Sequence, residues 1–514
     1  MPARTAVFDR ASLLFLAILV GLTWLRIHML RLDLIDLYFD EAQYWAWSRT
    51  LELGYFTKPP LVAWAIAGTT ALFGDAEWAV RLAAPVAHAL AALVLFGLGR
   101  AMYGAWAGFW AGIGWLLIPG VSLSANVIST DALMLPLWAA ALFALWRLTL
   151  TRAWVWAIAL GAAVGLGTQA KYAMLYFPLC AALAAYWSAP TRSALGRGRA
   201  IVAIVVALAI IAPNLWWNAQ NGFVTAQHTA SNARFDPSDL FNPDELLEFA
   251  VGQAGVLGPL IFIALIGLLW KAATDAQALR EEDKFLLAFI LPPLMLVSGI
   301  ALVSRANANW AAAACPATIV WVAGRLARSV NGRRFLAGAT VVNAALFAVT
   351  TWLLLYSPEV ANRARGIREA RGWEETSHEI ALRAVAKAGE PPFTAVLVDD
   401  RTTFFELGYY WRHARQAGAP LPPVRMWMLH QDARGSAEMT DPMRPAEGAR
   451  VLVIHRSPNY LPVIADDFTV FRTVEHLTVP LGGNVNRDIE ISVGEGFAPV
   501  PRDAAFEERL QRRR

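Results

Sequence analysis

The residues best suited to chemistry gather in one stretch, LYFDEAQYWAWSRTLELGYFTKPP, from Leu37 to Pro60. It lies between two apolar runs and sets an acid pair, Asp40 and Glu41, and one lysine, Lys58, among aromatics and a Pro-Pro stop. An acid in such a place can act as general base for a poor nucleophile such as a hydroxyl. The same pair opens a segment of helical character that ends at Gly54. Acids at a helix start suit its dipole, so capping is the competing reading. Tyr44, Trp45 and Trp47 read as an interfacial anchor. Lys58, held between Tyr55-Phe56 and Pro59-Pro60, is a candidate anion site, because lysine binds phosphate as a point charge and Tyr55 can add a hydrogen bond. A lysine whose stem lies along apolar surface at a helix start is the other reading.

Further polar residues stand alone in apolar surroundings. Asp131 follows a charge-free run, Gly104 to Thr130, and opens the next helix, as a site acid or as an N-cap. Lys171-Tyr172 falls at the break between two apolar runs. Asn214, Trp216, Trp217, Asn218 and His228 line the entry to a long loop, 218–252. Arg305 and Asn309 belong to a polar turn, RANANW, where the arginine is a candidate to bind an anion such as a lipid phosphate, with a plain headgroup contact as the competing reading. No P-loop, zinc signature, GxSxG elbow or dinucleotide fingerprint is present.

The elements that must position these residues are mostly membrane helices. Of 514 residues 57% are hydrophobic and only 16% charged, against about 25% charged in soluble domains. Trp occurs 22 times, as expected where aromatic belts mark membrane interfaces. The two cysteines, Cys180 and Cys315, lie in apolar runs and form no disulfide framework. The net charge of +4 is too small to mark a nucleic-acid surface. Apolar runs predict spans at about 11–30, 79–98, 106–120, 132–148, 154–169, 172–187, 200–217, 253–270, 285–303, 310–326 and 335–355. The first reads as a retained helix rather than a cleaved signal, and 61–73 as interfacial or re-entrant.

Orientation follows from basic residues. With the N-terminus inside, the inner ends and loops hold most arginines, while the outer loops hold only Arg31, Arg49, Lys58, Lys171, Arg234 and Arg305, with Arg81 at an outer edge. An odd span count then places everything after Tyr356 outside, together with every candidate site residue. Domains are therefore expected at 1–355, with 31–78 as first external loop, and at 356–514. The tail regains charge and reads as a small α/β domain: helices near 372–388 and 402–413, strands near 393–398, 451–455, 468–478 and 489–493.

FDEAQYWAWSRTLELGYFTKPPLVAW resembles the first outer loop of bacterial polyprenyl-phosphate-sugar glycosyltransferases of the GT-C fold, relatives of protein O-mannosyltransferases and lipid A aminoarabinose transferases. STDALMLPLW (129–138), GTQAKYAMLYFP (167–178), PNLWWNAQNGFVTAQH (213–228) and ANANWAAAACP (306–316) resemble further blocks, so the resemblance covers about 10–355. It implies a polytopic α-helical GT-C-like membrane protein of about 11–13 transmembrane helices with a small external α/β domain, in the bacterial inner membrane with its site on the periplasmic face. It further implies an inverting transferase that uses a polyprenyl-phosphate-linked sugar and an acceptor hydroxyl on lipid A or another glycan, a protein or a lipid. Asp40, Glu41 and Asp131 are then the catalytic candidates, with Asp40 activating the acceptor. By the resemblance Tyr55 and Lys58 contact the donor phosphate; Arg305, the other outer cation that breaks the charge bias, joins them as a donor-phosphate candidate, and Lys171, Tyr172, Asn218, His228 and Asn309 are substrate-binding candidates by position. The aminoarabinose branch has a metal-associated glutamate just before the lysine, where this chain has Thr57. A divalent cation, Mg²⁺ or Mn²⁺ on Asp40 and Asp131, is thereby in question. A lipid-linked glycan polymerase or ligase shares the donor class. A transporter or flippase places its ionisable residues near the bilayer centre, whereas here they share one outer rim.

Overall fold

The computed structural model describes residues 9–32, 35–231, 241–386, 389–456 and 458–512; Arg234 lies outside them. The chain packs as two compact units. The first comprises 1–32 and 51–351, and the second 33–50 and 352–514.

The first unit is helical throughout, because long apolar runs satisfy their backbone groups internally only as helices. Each of the eleven apolar runs is mostly helix. Of the 11–13 transmembrane helices expected, six among the described residues are long and apolar enough to cross a membrane, and a bent pair makes a seventh. Leu61–Phe73, Ala105–Leu117, Trp154–Ala170 and Tyr172–Trp187 are apolar but shorter.

The bent pair corrects the expected single span at 253–270. Helices Pro243–Leu257 and Pro259–Thr274 meet at 115°. Gly258 sits between them at φ +84°, Pro259 starts the second helix, and Asn343 donates to the Leu257 carbonyl at 3.3 Å. A Cβ at Gly258 would collide with the Asn343 amide. Left-handed backbone with no room for a side chain leaves glycine as the residue that fits.

At the other end of the same bundle, Asp283 is fully buried. It accepts the Tyr103 hydroxyl at 3.0 Å, the Trp321 indole N–H at 3.0 Å, the Arg325 guanidinium at 2.9 Å and the Arg280 N–H at 3.0 Å. One carboxylate thus ties three helices and satisfies its own desolvation. Asp283→Ala strands a cation and three further donors. It should cost roughly 3–5 kcal/mol, seen as a large drop in melting temperature in detergent; an unchanged melt would contradict this role.

The second unit is a five-stranded sheet covered by helices. Its strands are β1 (Ala395–Val398), β2 (Val424–Met426), β3 (Arg450–His455), β4 (Phe468–Pro480) and β5 (Asn486–Phe497). The order is β2-β1-β3-β5-β4. β1 runs parallel to both β2 and β3, and β5 joins β3 and β4 antiparallel. β1 and β3 are buried at every position, as parallel strands with both faces covered should be. Asp400 caps helix Arg401–Tyr410 by accepting the Thr403 N–H at 3.0 Å.

The helix Phe39–Arg49 from the first loop belongs to this unit and lies against helix Arg401–Tyr410. Trp45 meets Tyr409 edge-on at 5.0 Å. The Trp47 indole donates to Ser436 at 2.9 Å, the Leu37 N–H donates to the Tyr410 hydroxyl at 3.1 Å, and Asp36 accepts the Trp373 N–H. The aromatics of the loop, expected as a membrane anchor, are in part packing residues of this unit.

Candidate active site

In the first unit a run of hydrogen bonds joins most of the candidate residues. Asp131 lies in the first turn of helix Thr130–Thr151, but Ser129 does the capping, accepting the Ala132 N–H at 3.2 Å. The Asp131 carboxylate is therefore available to side chains. Both its oxygens accept from Lys171 Nζ at 2.8 Å, and Asn309 Nδ2 donates to Oδ2 at 3.0 Å.

Tyr172, next in sequence to Lys171, donates to Asn214 Oδ1 at 2.8 Å, and Asn218 Nδ2 donates to the Tyr172 hydroxyl at 3.1 Å. Asn214 Nδ2 in turn donates to the Leu53 carbonyl at 2.8 Å, and Thr225 donates to the Tyr55 carbonyl at 2.8 Å. Two loop carbonyls are thereby fixed just before Lys58. Gly54 permits this approach, since a Cβ there would press into Asn214 and Trp217. A turn from the Tyr55 N–H to the Lys58 carbonyl, 3.1 Å, sets the lysine. Tyr55 is buried, and its hydroxyl accepts the Glu52 N–H at 3.1 Å. Burial holds this phenol above its usual range, so it stays protonated and able to donate. His228 is half-buried and meets the Phe56 ring edge-on at 6.0 Å.

Arg305 is exposed in the turn before the short helix Ala308–Ala314. It is Asn309, on that helix, that reaches Asp131. The first-loop acids lie in the second unit. Glu41 is fully buried and accepts the Tyr38 N–H at 3.0 Å, which closes the start of its helix; the capping alternative applies to Glu41. Asp40 is partly exposed and faces Arg401 at 3.6 Å.

Sequence reasoning passed over Thr225 and Arg401, and it placed Asn214 only at a loop entry. Their partners lie too far along the chain to be read from spacing.

The donor set also bears on a metal. Among the described residues no group of three or more His, Cys, Asp and Glu side chains could hold an ion. Lys171 occupies both Asp131 oxygens. These residues do not fit a metal held through Asp131.

Residues 57–217 match the family described as dolichyl-phosphate-mannose-protein mannosyltransferase. Over 410 residues, 78% of this chain and 83% of the relative, the sequence is 33% identical to lipid A galacturonosyltransferase RgtD of Rhizobium johnstonii. The chain belongs to this family of GT-C membrane glycosyltransferases. The crystal structure of ArnT from Cupriavidus metallidurans bound to undecaprenyl phosphate covers 95% of the chain and 99% of its own length, with a TM-score of 0.58 at 17% identity. Its apo state gives a TM-score of 0.56 at the same identity, with 95% and 98% covered. These likenesses establish the GT-C fold with its small sheet domain. In this GT-C glycosyltransferase Asp131, Lys171, Tyr172 and Asn214 fall within the residues matched by the family model, whereas Leu53 and Asn309 lie outside them.

Proposed function

We propose that this glycosyltransferase moves a sugar from a polyprenyl-phosphate donor to a hydroxyl of a lipid A-type glycolipid, on the outer face of the bacterial inner membrane. The observation that carries this reading is the identity of one third, over four fifths of both chains, with a lipid A galacturonosyltransferase. The undecaprenyl phosphate bound to ArnT supports the donor class. The excess of arginines at the inner ends supports an inside N-terminus and an outside sheet domain.

The chemistry assigns a role to each group. The acceptor oxygen attacks the anomeric carbon and the bond from that carbon to the phosphate oxygen breaks. The acceptor proton passes to Asp40, and the polyprenyl phosphate leaves with the bonding pair. Charge on the leaving oxygen grows as the bond breaks, so a cation at the phosphate lowers the barrier more than it aids binding. Lys58 supplies that cation, Tyr55 a hydrogen bond, and Arg305 a further charge on the same rim. Asp131, already neutralised by Lys171, orients substrate with Asn309, Tyr172, Asn218 and His228.

The test is incubation of purified protein with polyprenyl-phosphate galacturonic acid and lipid A, followed by mass spectrometry. The expected result is an acceptor heavier by one uronic acid residue. An unmodified lipid A, with sugar found instead on protein or on a growing glycan chain, would overturn the acceptor assignment. Because Lys171 already neutralises Asp131, activity is expected to survive EDTA. Loss of turnover that added Mg²⁺ or Mn²⁺ restores would contradict this and place a metal on other groups.

A further inference from the structure

The C-terminal unit holds a cation against the loop acid. Arg401 is the first residue of the helix that follows β1, and Asp400 caps that helix. The Arg401 guanidinium lies 3.6 Å from Asp40 Oδ1, 3.5 Å from Gln43 Oε1 and 4.6 Å from the centre of the Phe39 ring. One terminal nitrogen thus faces Asp40, the other faces Gln43, and the guanidinium carbon lies over Phe39, all on the first turns of the helix that carries Asp40. That helix is fixed to the same unit at Trp45, Trp47 and Leu37.

Stability does not account for the contact. Side chains of Arg401 and Asp40 are 45% and 37% exposed, and an exposed pair of this kind contributes little to folding. Its effect falls on the carboxylate itself: a nearby cation favours the ionised form and restricts the rotamer. A base must be ionised and aimed, and misplacement by about 1 Å can cost 10²-fold in rate.

We propose that Arg401 is a positioning residue for Asp40, so that the sheet domain supplies a working part of the transferase. This rests on the assignment of Asp40 as base. Other charged groups near the loop helix are Glu406 on the packed helix, Arg412 over Trp45 at 6.0 Å, and Arg365 and Glu369, which act on Tyr38. Arg401 is a cation that the structure sets against Asp40 itself.

The experiment compares wild type, Arg401→Gln, Arg401→Lys, Asp40→Asn and the Arg401→Gln/Asp40→Asn double variant. Single-turnover rate, acceptor KM, pH–rate profile and thermal melt are measured in detergent. Arg401→Gln should lower the rate roughly 10- to 100-fold with KM and melt unchanged. Its acidic limb should move to higher pH, because the carboxylate loses a cation that favours its ionised form. Arg401→Lys should recover part of the rate. The double variant should be no slower than Asp40→Asn, since one residue acts through the other. A severe Asp40→Asn with normal Arg401→Gln would overturn the proposal, as would losses that simply multiply. A normal rate in Asp40→Asn would instead refute the base assignment beneath it.

Discussion

Asp40→Asn is expected to lower turnover by about 10² or more while the protein stays folded, the usual scale for loss of a general base. The substitution keeps size and removes basicity. Asp40 is partly exposed, and Arg401 beside it is itself exposed, so Arg401 keeps its access to water when the amide replaces the carboxylate. Donor binding should be little changed, because the acid acts on the acceptor. The check is single-turnover rate beside donor affinity and the melt. Near-normal turnover in a folded variant would remove Asp40 from the mechanism.

Lys58→Ala should slow transfer by about 10²–10³, comparable to removing one group that stabilises developing charge, and should weaken donor binding at the same time. The two losses differ in size because the phosphate is charged in the ground state and more so as the bond breaks. The loop that carries Lys58 is tied down at Leu53 and Tyr55 by Asn214 and Thr225, so truncation at Lys58 leaves those anchors intact. Lys58→Arg should recover only part, since a planar fork does not replace a compact ammonium. Arg305→Ala, alone and combined, decides whether both cations meet one phosphate. Non-additive losses are expected; small additive losses with unchanged donor affinity would make both residues membrane contacts only.

Much of the fold was legible because hydropathy marks helices directly. What it could not show was where a run breaks. The residues on both sides of Gly258 are equally apolar, so 253–270 read as one span, although the Gly-Pro pair at 258–259 was the signal for a bend. Strands β1, β3, β4 and β5 were visible as β-rich runs, whereas β2 has three residues after a Pro-Pro and left no period to read.

In the site, residue types stood out singly: one acid in a charge-free run, one lysine between aromatics and prolines. Their pairings did not. Lys171 and Asp131 are 40 residues apart, and Asn309 is 178 from Asp131, so only the packing of helices brings them together. Capping was weighed for both acids of the first loop, and Glu41 closes the helix while Asp40 faces Arg401. Arg401 went unread because the sequence resemblance ends near 355. The pattern of a β-rich run followed by Asp399-Asp400-Arg401, a capped helix start at the end of an inner strand, was its only trace.

The central claim, that sugar passes from a polyprenyl phosphate to an acceptor hydroxyl with Asp40 taking the proton, is tested most directly by stoichiometry. Purified wild type and Asp40→Asn are given donor and lipid A, and released polyprenyl phosphate and glycosylated acceptor are counted together by mass spectrometry. The account predicts one lipid phosphate per modified acceptor in wild type, and both products reduced in parallel by about 10² or more in Asp40→Asn. Lipid phosphate released without modified acceptor, or both products at wild-type rates in the variant, would contradict it.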